Sequence, residues 1–114
     1  MTSTTGPIIF PVKDLARAKT LYGKLLGVPP AVDAPYYVQF NAGAQEIGLD
    51  PNGHSQGMTG PVVFWPVDDI GASVKQLLDA GAEPLRPIGD VGGGKLVAIV
   101  KDADGNCIGL TQSG

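Results

Sequence analysis

The sequence predicts an α+β fold built from two similar half-modules, and three observations lead to that prediction. A motif of aromatic residue, proline, valine, any residue, aspartate and aliphatic residue occurs twice, at positions 10–15 and 65–70, about half the chain apart. Each copy leads into a helical pattern that ends at a glycine. Strand patterns joined by short glycine-containing turns follow each helix. An internal repeat of this kind indicates a duplicated structural unit.

The first helix is predicted to run from Asp14 to Leu26. Asp14 is an N-cap acceptor for the free amides of the first turn, and Gly27 is typical of a helix end. The predicted buried stripe has three-to-four-residue spacing and comprises Leu15, Ala18, Leu21, Tyr22 and Leu25. The second helix repeats the arrangement, with Asp69 as the cap, Gly81 as the end and Pro84 soon after it. Its stripe comprises Ile70, Val74, Leu77 and Leu78.

Two β-hairpins are predicted from alternating patterns around turn residues. The first joins positions 36–40 to 45–49, and the second joins 95–100 to 106–111 through Asp102-Ala103-Asp104-Gly105. Each half-module is therefore expected to have the order βαβββ, over about 6–50 and 60–113 of a single domain that spans 1–114. We expect the two half-modules to form a curved, mostly antiparallel sheet around a concave cavity.

Composition and charge exclude several classes of partner. The net charge is −3, and no run of Lys or Arg offers a binding surface for a nucleic acid or an anionic membrane. The segment Met1 to Gly6 lacks the features of a signal peptide, and the apolar runs are too short to span a bilayer, so a cytoplasmic location is expected. Cys107 is the only cysteine, which excludes an intramolecular disulfide. A domain this small favours a homodimer.

Several short motifs resemble one known family. Val12-Lys13-Asp14-Leu15, followed by Leu21-Tyr22 and Leu26-Gly27, resembles the start of a half-module in the vicinal oxygen chelate superfamily of glyoxalases, bleomycin-resistance proteins and dioxygenases. The turn Asp102-Ala103-Asp104-Gly105-Asn106 is similar to the one before that family's last strand. The resemblance implies the duplicated fold described above. It does not imply one activity, because the family includes isomerases, lyases, oxygenases and proteins that only bind drugs.

The resemblance also indicates where metal ligands lie in the metal-using members. These positions are near the start of the first strand and the middle of the last strand of each half, and here they hold Pro7, Gly48, Val62 and Gly109. None of the four side chains can bind a metal, and the only histidine, His54, lies elsewhere. The resemblance therefore implies a branch without metal or other cofactor, like the bleomycin-resistance proteins. A register error of one residue would bring Glu46 near a ligand position.

Candidate ligand-binding residues follow from the two faces of the first hairpin. With a turn at Ala42-Gly43, alternation places Val38, Phe40, Ile47 and Leu49 on the helix side. The opposite face then carries Tyr37, Gln39, Glu46 and Gly48. A few polar groups beside a glycine are typical of a small-molecule pocket, and a solvated sheet face is the alternative interpretation.

Other candidate residues carry weaker signals. Glu46 is a weak candidate for acid–base catalysis, since it has no second carboxylate as a partner. His54 lies among turn-forming residues, where it either contacts a ligand or faces solvent. Phe64 and Gly109 are expected to line the concavity from the second half-module. Gly92-Gly93-Gly94-Lys95 precedes a strand pattern, so we interpret it as a hairpin turn and not as a phosphate-binding loop.

The leading functional hypothesis is a metal-free protein that binds a small molecule and sequesters an antibiotic or another bulky aromatic compound in clefts at a dimer interface. The alternative is a glyoxalase-like lyase or isomerase that uses Glu46 with Tyr37 or His54, or a metal site missed by the alignment. A regulatory protein that binds a protein segment is a third class, for which the sequence carries no signal.

Overall fold

The computed structural model describes residues 5–114, so the first four residues of the segment expected to lack a targeting signal lie outside the described residues. Each half of the described chain has the order βαβββ. The first half comprises β1 (Ile8–Pro11), α1 (Leu15–Leu26), β2 (Val32–Ala34), β3 (Tyr37–Ala42) and β4 (Gln45–Asp50). The second half comprises β5 (Val62–Pro66), α2 (Ile70–Asp79), β6 (Glu83–Asp90), β7 (Leu96–Lys101) and β8 (Cys107–Gln112). The predicted α+β class and its duplication are confirmed.

The chain divides into two compact units, one covering Pro7–Val62 and the other covering Val63–Gly114 together with Gly6. In the first, the strand order is β2-β3-β4-β1, with β1 parallel to β4 and the other pairs antiparallel. In the second, the order is β6-β7-β8-β5, and only β5 and β8 are parallel. The mostly antiparallel character is confirmed for each half-module, whereas the single domain over 1–114 stays a prediction.

Helix α1 begins and ends where its capping residues predict. The Asp14 carboxylate accepts a hydrogen bond from the Arg17 amide at 3.0 Å, and Gly27 adopts φ = 69°, a left-handed conformation that favours glycine. The predicted stripe was partly wrong, because Leu21 and Leu25 are 64% and 73% exposed. At 100° per residue these two leucines lie on the edge of the stripe. The residues that pack against β3 and β4 are Leu15, Ala18, Tyr22 and Leu26.

Helix α2 follows the same rules in the second half-module. Asp69 accepts from the Ala72 amide at 3.0 Å, and Gly81 follows the helix end with φ = 109°. Ile70, Val74 and Leu77 pack against the sheet, together with Trp65 from β5. Leu78 is exposed and lies at the edge of the predicted stripe. Neither helix in the part of the chain that the structure describes is long and apolar enough to cross a membrane.

The first hairpin turns one residue later than predicted. Ala42 pairs with Gln45, so the two-residue turn is Gly43-Ala44 instead of Ala42-Gly43, and Gly43 has φ = 64°. Because both turns contain two residues, the shift moves the pairing by two residues and each side chain keeps its predicted face. Val38, Phe40 and Leu49 are buried under α1, with Ile47 packed against them, which confirms the predicted helix side.

Two strands were not located by the sequence patterns. β2 has three residues, and β6 contains Pro84 and Pro87 and pairs with β7 through an irregular register. Both are edge strands of their half-module, where a proline removes no hydrogen bond from a neighbour on its open side. Short length and proline content both weaken the alternating signal on which strand prediction depends.

Candidate ligand-binding face

The surface of β3 and β4 opposite α1 carries a continuous set of polar side chains. The antiparallel register pairs Gln39 with Gly48 and Asn41 with Glu46, and alternation adds Tyr37 and Asp50 to the same side. We call this surface the polar face and define it by Tyr37, Gln39, Asn41, Glu46, Gly48 and Asp50. It contains four of the candidates expected from the sequence, namely Tyr37, Gln39, Glu46 and Gly48.

Four of these side chains form one hydrogen-bonded network. The Tyr37 hydroxyl donates to Gln39 Oε1 at 2.9 Å, and Gln39 Nε2 donates to Glu46 Oε2 at 2.9 Å. Gln39 Nε2 also donates to Asn41 Oδ1 at 3.1 Å. A carboxylate only accepts, which determines the orientation of the Gln39 amide. The network therefore holds Glu46 in a defined position across the hairpin.

Gly48 makes room for this network. A Cβ atom at Gly48 would collide with the Tyr37 hydroxyl and with Ile9 Cδ1, so the Tyr37 side chain lies directly across the backbone of β4. Ile9 is paired with Gly48 in the parallel register of β1 and β4. The glycine is thus required for close approach of two side chains, whereas no left-handed backbone angle demands it.

The environment of Tyr37 shifts its titration. Burial raises the pKa of the Tyr37 hydroxyl to about 12, and the negative charges of Glu46 and Asp50 act in the same direction. The neutral phenol is therefore stabilised, and it remains the donor to Gln39 at any pH near neutrality. A ligand on the polar face therefore meets the neutral hydroxyl of Tyr37.

His54 begins a single 3-10 turn, His54–Gln56, that follows β4. The turn-rich segment before it is ordered by hydrogen bonds: the amide of Gly53 donates to the Asp50 carbonyl, and the amide of Asn52 donates to Asp50 Oδ1 at 2.8 Å. The His54 side chain is exposed and belongs to none of the hydrogen bonds of the network among the described residues. It lies in the same half-module as the polar face.

The corresponding surface of the second half-module is largely apolar. Phe64 lies on Gly109, its partner in the register of β5 and β8, and a Cβ atom on Gly109 would approach the Phe64 ring to 2.7 Å. Val97 and Ile99 of β7 lie on the same side, and Ile99 is fully buried. Phe64 is 5% exposed, so it and Gly109 offer almost no accessible surface as they stand.

The residues at the family's ligand positions do not fit a metal ion. Pro7, Gly48, Val62 and Gly109 have no donor atom in their side chains, and the space above both glycines is filled by Tyr37, Ile9 and Phe64. Across residues 5–114, no group of three or more His, Cys, Asp or Glu side chains is arranged to hold a metal ion.

The sequence reasoning missed Asn41 and Asp50 on the polar face and Ile9 beside it. The signal for the first two was present, since they continue the alternation of Tyr37, Gln39, Glu46 and Gly48 along β3 and β4. Longer predicted strands would have included them. Ile9 has no such signal, because its position depends on the pairing of β1 with β4.

The fold and motifs agree with one family. The family model described as the glyoxalase/bleomycin resistance protein/dioxygenase superfamily matches residues 4–110. The chain belongs to this superfamily. None of the curated protein sequences matches it.

Solved structures with the same fold come from several bacteria. A Legionella pneumophila structure described as an NAD-dependent benzaldehyde dehydrogenase has a TM-score of 0.74 at 17% identity, over 95% of this chain and 98% of that chain. A superfamily member from Vibrio splendidus has a TM-score of 0.73 at 14% identity, over 96% and 100%. Methylmalonyl-CoA epimerase from Mycobacterium tuberculosis has a TM-score of 0.69 at 17% identity, over 99% and 89%. At these identities the likeness concerns the fold alone.

Proposed function

We propose that this protein binds a small molecule on the polar face without a metal ion and sequesters it, as drug-binding members of the superfamily do. The proposed ligand is an antibiotic or another bulky aromatic compound, held in clefts at the interface of a homodimer. The proposed contacts are Tyr37, Gln39, Glu46 and Gly48, with His54 at the end of β4. Phe64 and Gly109 of the second half-module stay candidate contacts, although Phe64 is buried on Gly109.

The Tyr37–Gln39–Glu46 network is the observation that carries the proposal. All three side chains are half-buried, and they are fixed relative to each other by hydrogen bonds of 2.9 Å. On a solvated sheet face each polar group can bond to water instead, so hydrogen bonds between the side chains are not required. Positioned polar groups beside apolar surface are characteristic of small-molecule sites, in which a few hydrogen bonds orient the ligand.

A thermal-shift screen against antibiotics, flavins and aromatic metabolites tests the proposal. A compound that binds only the folded protein raises its melting temperature. The rise is expected to disappear in Tyr37→Ala and to persist in Tyr36→Ala, a matched control because Tyr36 is the adjacent, exposed residue in the turn between β2 and β3. Ligands that stabilise both variants equally would place the binding site elsewhere, and a panel without any ligand would count against the proposal.

Metal independence and dimerisation are separate parts of the proposal. Dialysis against a chelator is expected to leave the melting temperature unchanged, and a fall of several degrees would reveal a metal site. The small size of the half-modules favours association of two copies. Light scattering is expected to give the mass of a dimer, and a strictly monomeric protein at micromolar concentration would remove the interface clefts.

Acid–base catalysis by Glu46 is a second candidate, and one observation favours it. Gln39 occupies Glu46 Oε2, which leaves Oε1 available to take a proton from a bound molecule. A lyase or isomerase of this type would use Tyr37 or His54 as the partner group. Turnover of a screened ligand that is lost in Glu46→Gln even at saturating ligand concentration would identify an enzyme.

A further inference from the structure

The hydrogen-bonding capacity of the polar face is unevenly used. A glutamine amide has two N–H donors, and those of Gln39 are both engaged, with Glu46 Oε2 and Asn41 Oδ1. A tyrosine hydroxyl has one donor, and that of Tyr37 is engaged with Gln39 Oε1. Gln39 thus engages its own two donors and the donor of Tyr37. Neither Gln39 nor Tyr37 has a donor left for a ligand.

The groups that remain free at the centre are acceptors. Glu46 keeps Oε1, the Tyr37 oxygen keeps its lone pairs, and Asp50 keeps Oδ2 because Asn52 binds its Oδ1. Asn41, the register partner of Glu46, retains its amide donors at the hairpin end of the face, where its side chain is exposed. A ligand that reaches the centre therefore meets acceptors from three side chains.

No cation of the first half-module balances these acceptors. None of the residues of β1, β2, β3 or β4 is Lys, Arg or His. The positively charged residues of this half-module are Lys13, Arg17, Lys19 and Lys24, which lie in α1 or in the segment that leads into it. Helix α1 packs on the opposite side of the sheet, and Lys19 is paired there with Asp33.

We propose that Gln39 is a specificity-determining residue and that the ligand is a hydrogen-bond donor with a positive charge, such as a protonated amine or an amidinium. The inference rests on the proposed binding function and specifies its ligand class. By engaging its own donors and that of Tyr37, Gln39 leaves free acceptors on Tyr37, Glu46 and Asp50, which a donor-rich cation complements. A carboxylate or phosphate ligand would find acceptors and negative charge where it needs donors.

Binding of benzamidine and benzoate, measured by ligand-observed NMR, tests the charge preference with two probes of equal size. Benzamidine is expected to bind, and Glu46→Gln is expected to weaken it about tenfold or more by removing a charge-assisted bond. Asp79→Asn is the control, since this exposed carboxylate lies on α2. The affinity of this variant for benzamidine is expected to equal that of the wild type. Gln39→Leu frees Glu46 and Tyr37 from their partner and is expected to reduce the preference for benzamidine.

The outcomes separate the ligand class from the binding function itself. Benzamidine binding that depends on both Glu46 and Tyr37 supports the inference. Benzoate binding that is lost in Tyr37→Ala would overturn the ligand class and leave the proposed function standing. If neither probe nor any compound of the thermal-shift panel binds in a manner that depends on Tyr37, the inference and the proposed function both fail.

Discussion

The two half-modules use equivalent positions of their sheets in opposite ways. Their registers align Gln39 with Ile99, since each is paired with a glycine, Gly48 or Gly109. On the side away from the helix, the first half-module has Tyr37, Gln39, Asn41, Glu46 and Asp50. The second has Val97, Ile99, Lys101, Cys107 and Thr111 at the corresponding places. One half presents a hydrogen-bonded polar surface, and the other presents a largely apolar one.

The helix sides of the two sheets are much more alike. Val38, Phe40, Ile47 and Leu49 correspond to Ala98, Val100, Ile108 and Leu110, and all are apolar. Both helices pack on these residues through a similar stripe. The comparison shows that the fold depends on the helix side, where burial of apolar surface stabilises each half-module.

Phe40→Ala is expected to have the largest effect on stability. Phe40 is fully buried under α1, and its truncation should lower the free energy of unfolding by about 3–5 kcal/mol, measured by urea denaturation. Tyr37→Ala, on the polar face of the same strand, should cost much less because the helix-side core stays intact. A reversed order of the two costs would contradict the assignment of the faces.

Exchange of the two aligned residues tests the contrast between the half-modules directly. Ile99→Gln places an amide in a fully buried apolar position and should cost about 2–4 kcal/mol. Gln39→Ile removes three hydrogen bonds from a half-buried network that water can reach, so it should cost less than about 1 kcal/mol. Equal costs in chemical denaturation would show that the two surfaces are equally buried in solution.

The two glycines are expected to tolerate alanine to different degrees. In Gly109→Ala the new methyl group meets the buried Phe64 ring at 2.7 Å, which should destabilise the protein by about 1–3 kcal/mol. In Gly48→Ala the obstacles are the ends of the Tyr37 and Ile9 side chains, which can rotate away, so the cost should be smaller. If Gly109→Ala costs much less in a Phe64→Ala background than in the wild type, the ring is identified as the cause.

The smallest expected effect concerns the titration of the Tyr37 hydroxyl. Because the pKa of Tyr37 is raised from 10.0 to about 12, its contribution to stability is complete below pH 10 and is lost as the pH rises towards 12. Ultraviolet difference titration of the wild type against Tyr37→Phe should isolate a tyrosine with a midpoint near 12. A difference spectrum with an ordinary midpoint would mean that the phenol is solvated and that the network is not maintained in solution.

Local sequence was sufficient for most of the fold. Asp14, Gly27 and Asp69 marked helix ends through hydrogen bonds and backbone angles that involve only adjacent turns of chain. Alternation in β3 and β4 identified the two faces even though the turn was displaced by one residue. The helical pattern of α1 failed for Leu21 and Leu25. Such a stripe indicates which residues lie near one face and not how wide the covering sheet is.

The candidate site was only partly accessible to sequence reasoning. The residue types of the polar face followed from alternation, so Tyr37, Gln39, Glu46 and Gly48 were found together. Their hydrogen bonds were not predicted, because a glutamine can donate to several neighbours and the choice of partner depends on distances across two strands. The buried state of Phe64 was also missed, since a ring on a sheet face is exposed or covered according to its three-dimensional neighbours.

The sequence by itself determined the duplication, the caps, the hairpins and the side of each strand that packs on a helix, because these features depend on residues close together in the chain. Only the tertiary structure decided that Tyr37 crosses Gly48, that Gln39 engages the donors at the centre of the polar face and that Ile99 is fully buried. It also decided that Thr111, the counterpart of Asp50, is buried with a hydroxyl that has no hydrogen-bond partner among the described residues. These features arise where distant segments pack, and their energies depend on distances that a sequence pattern does not contain.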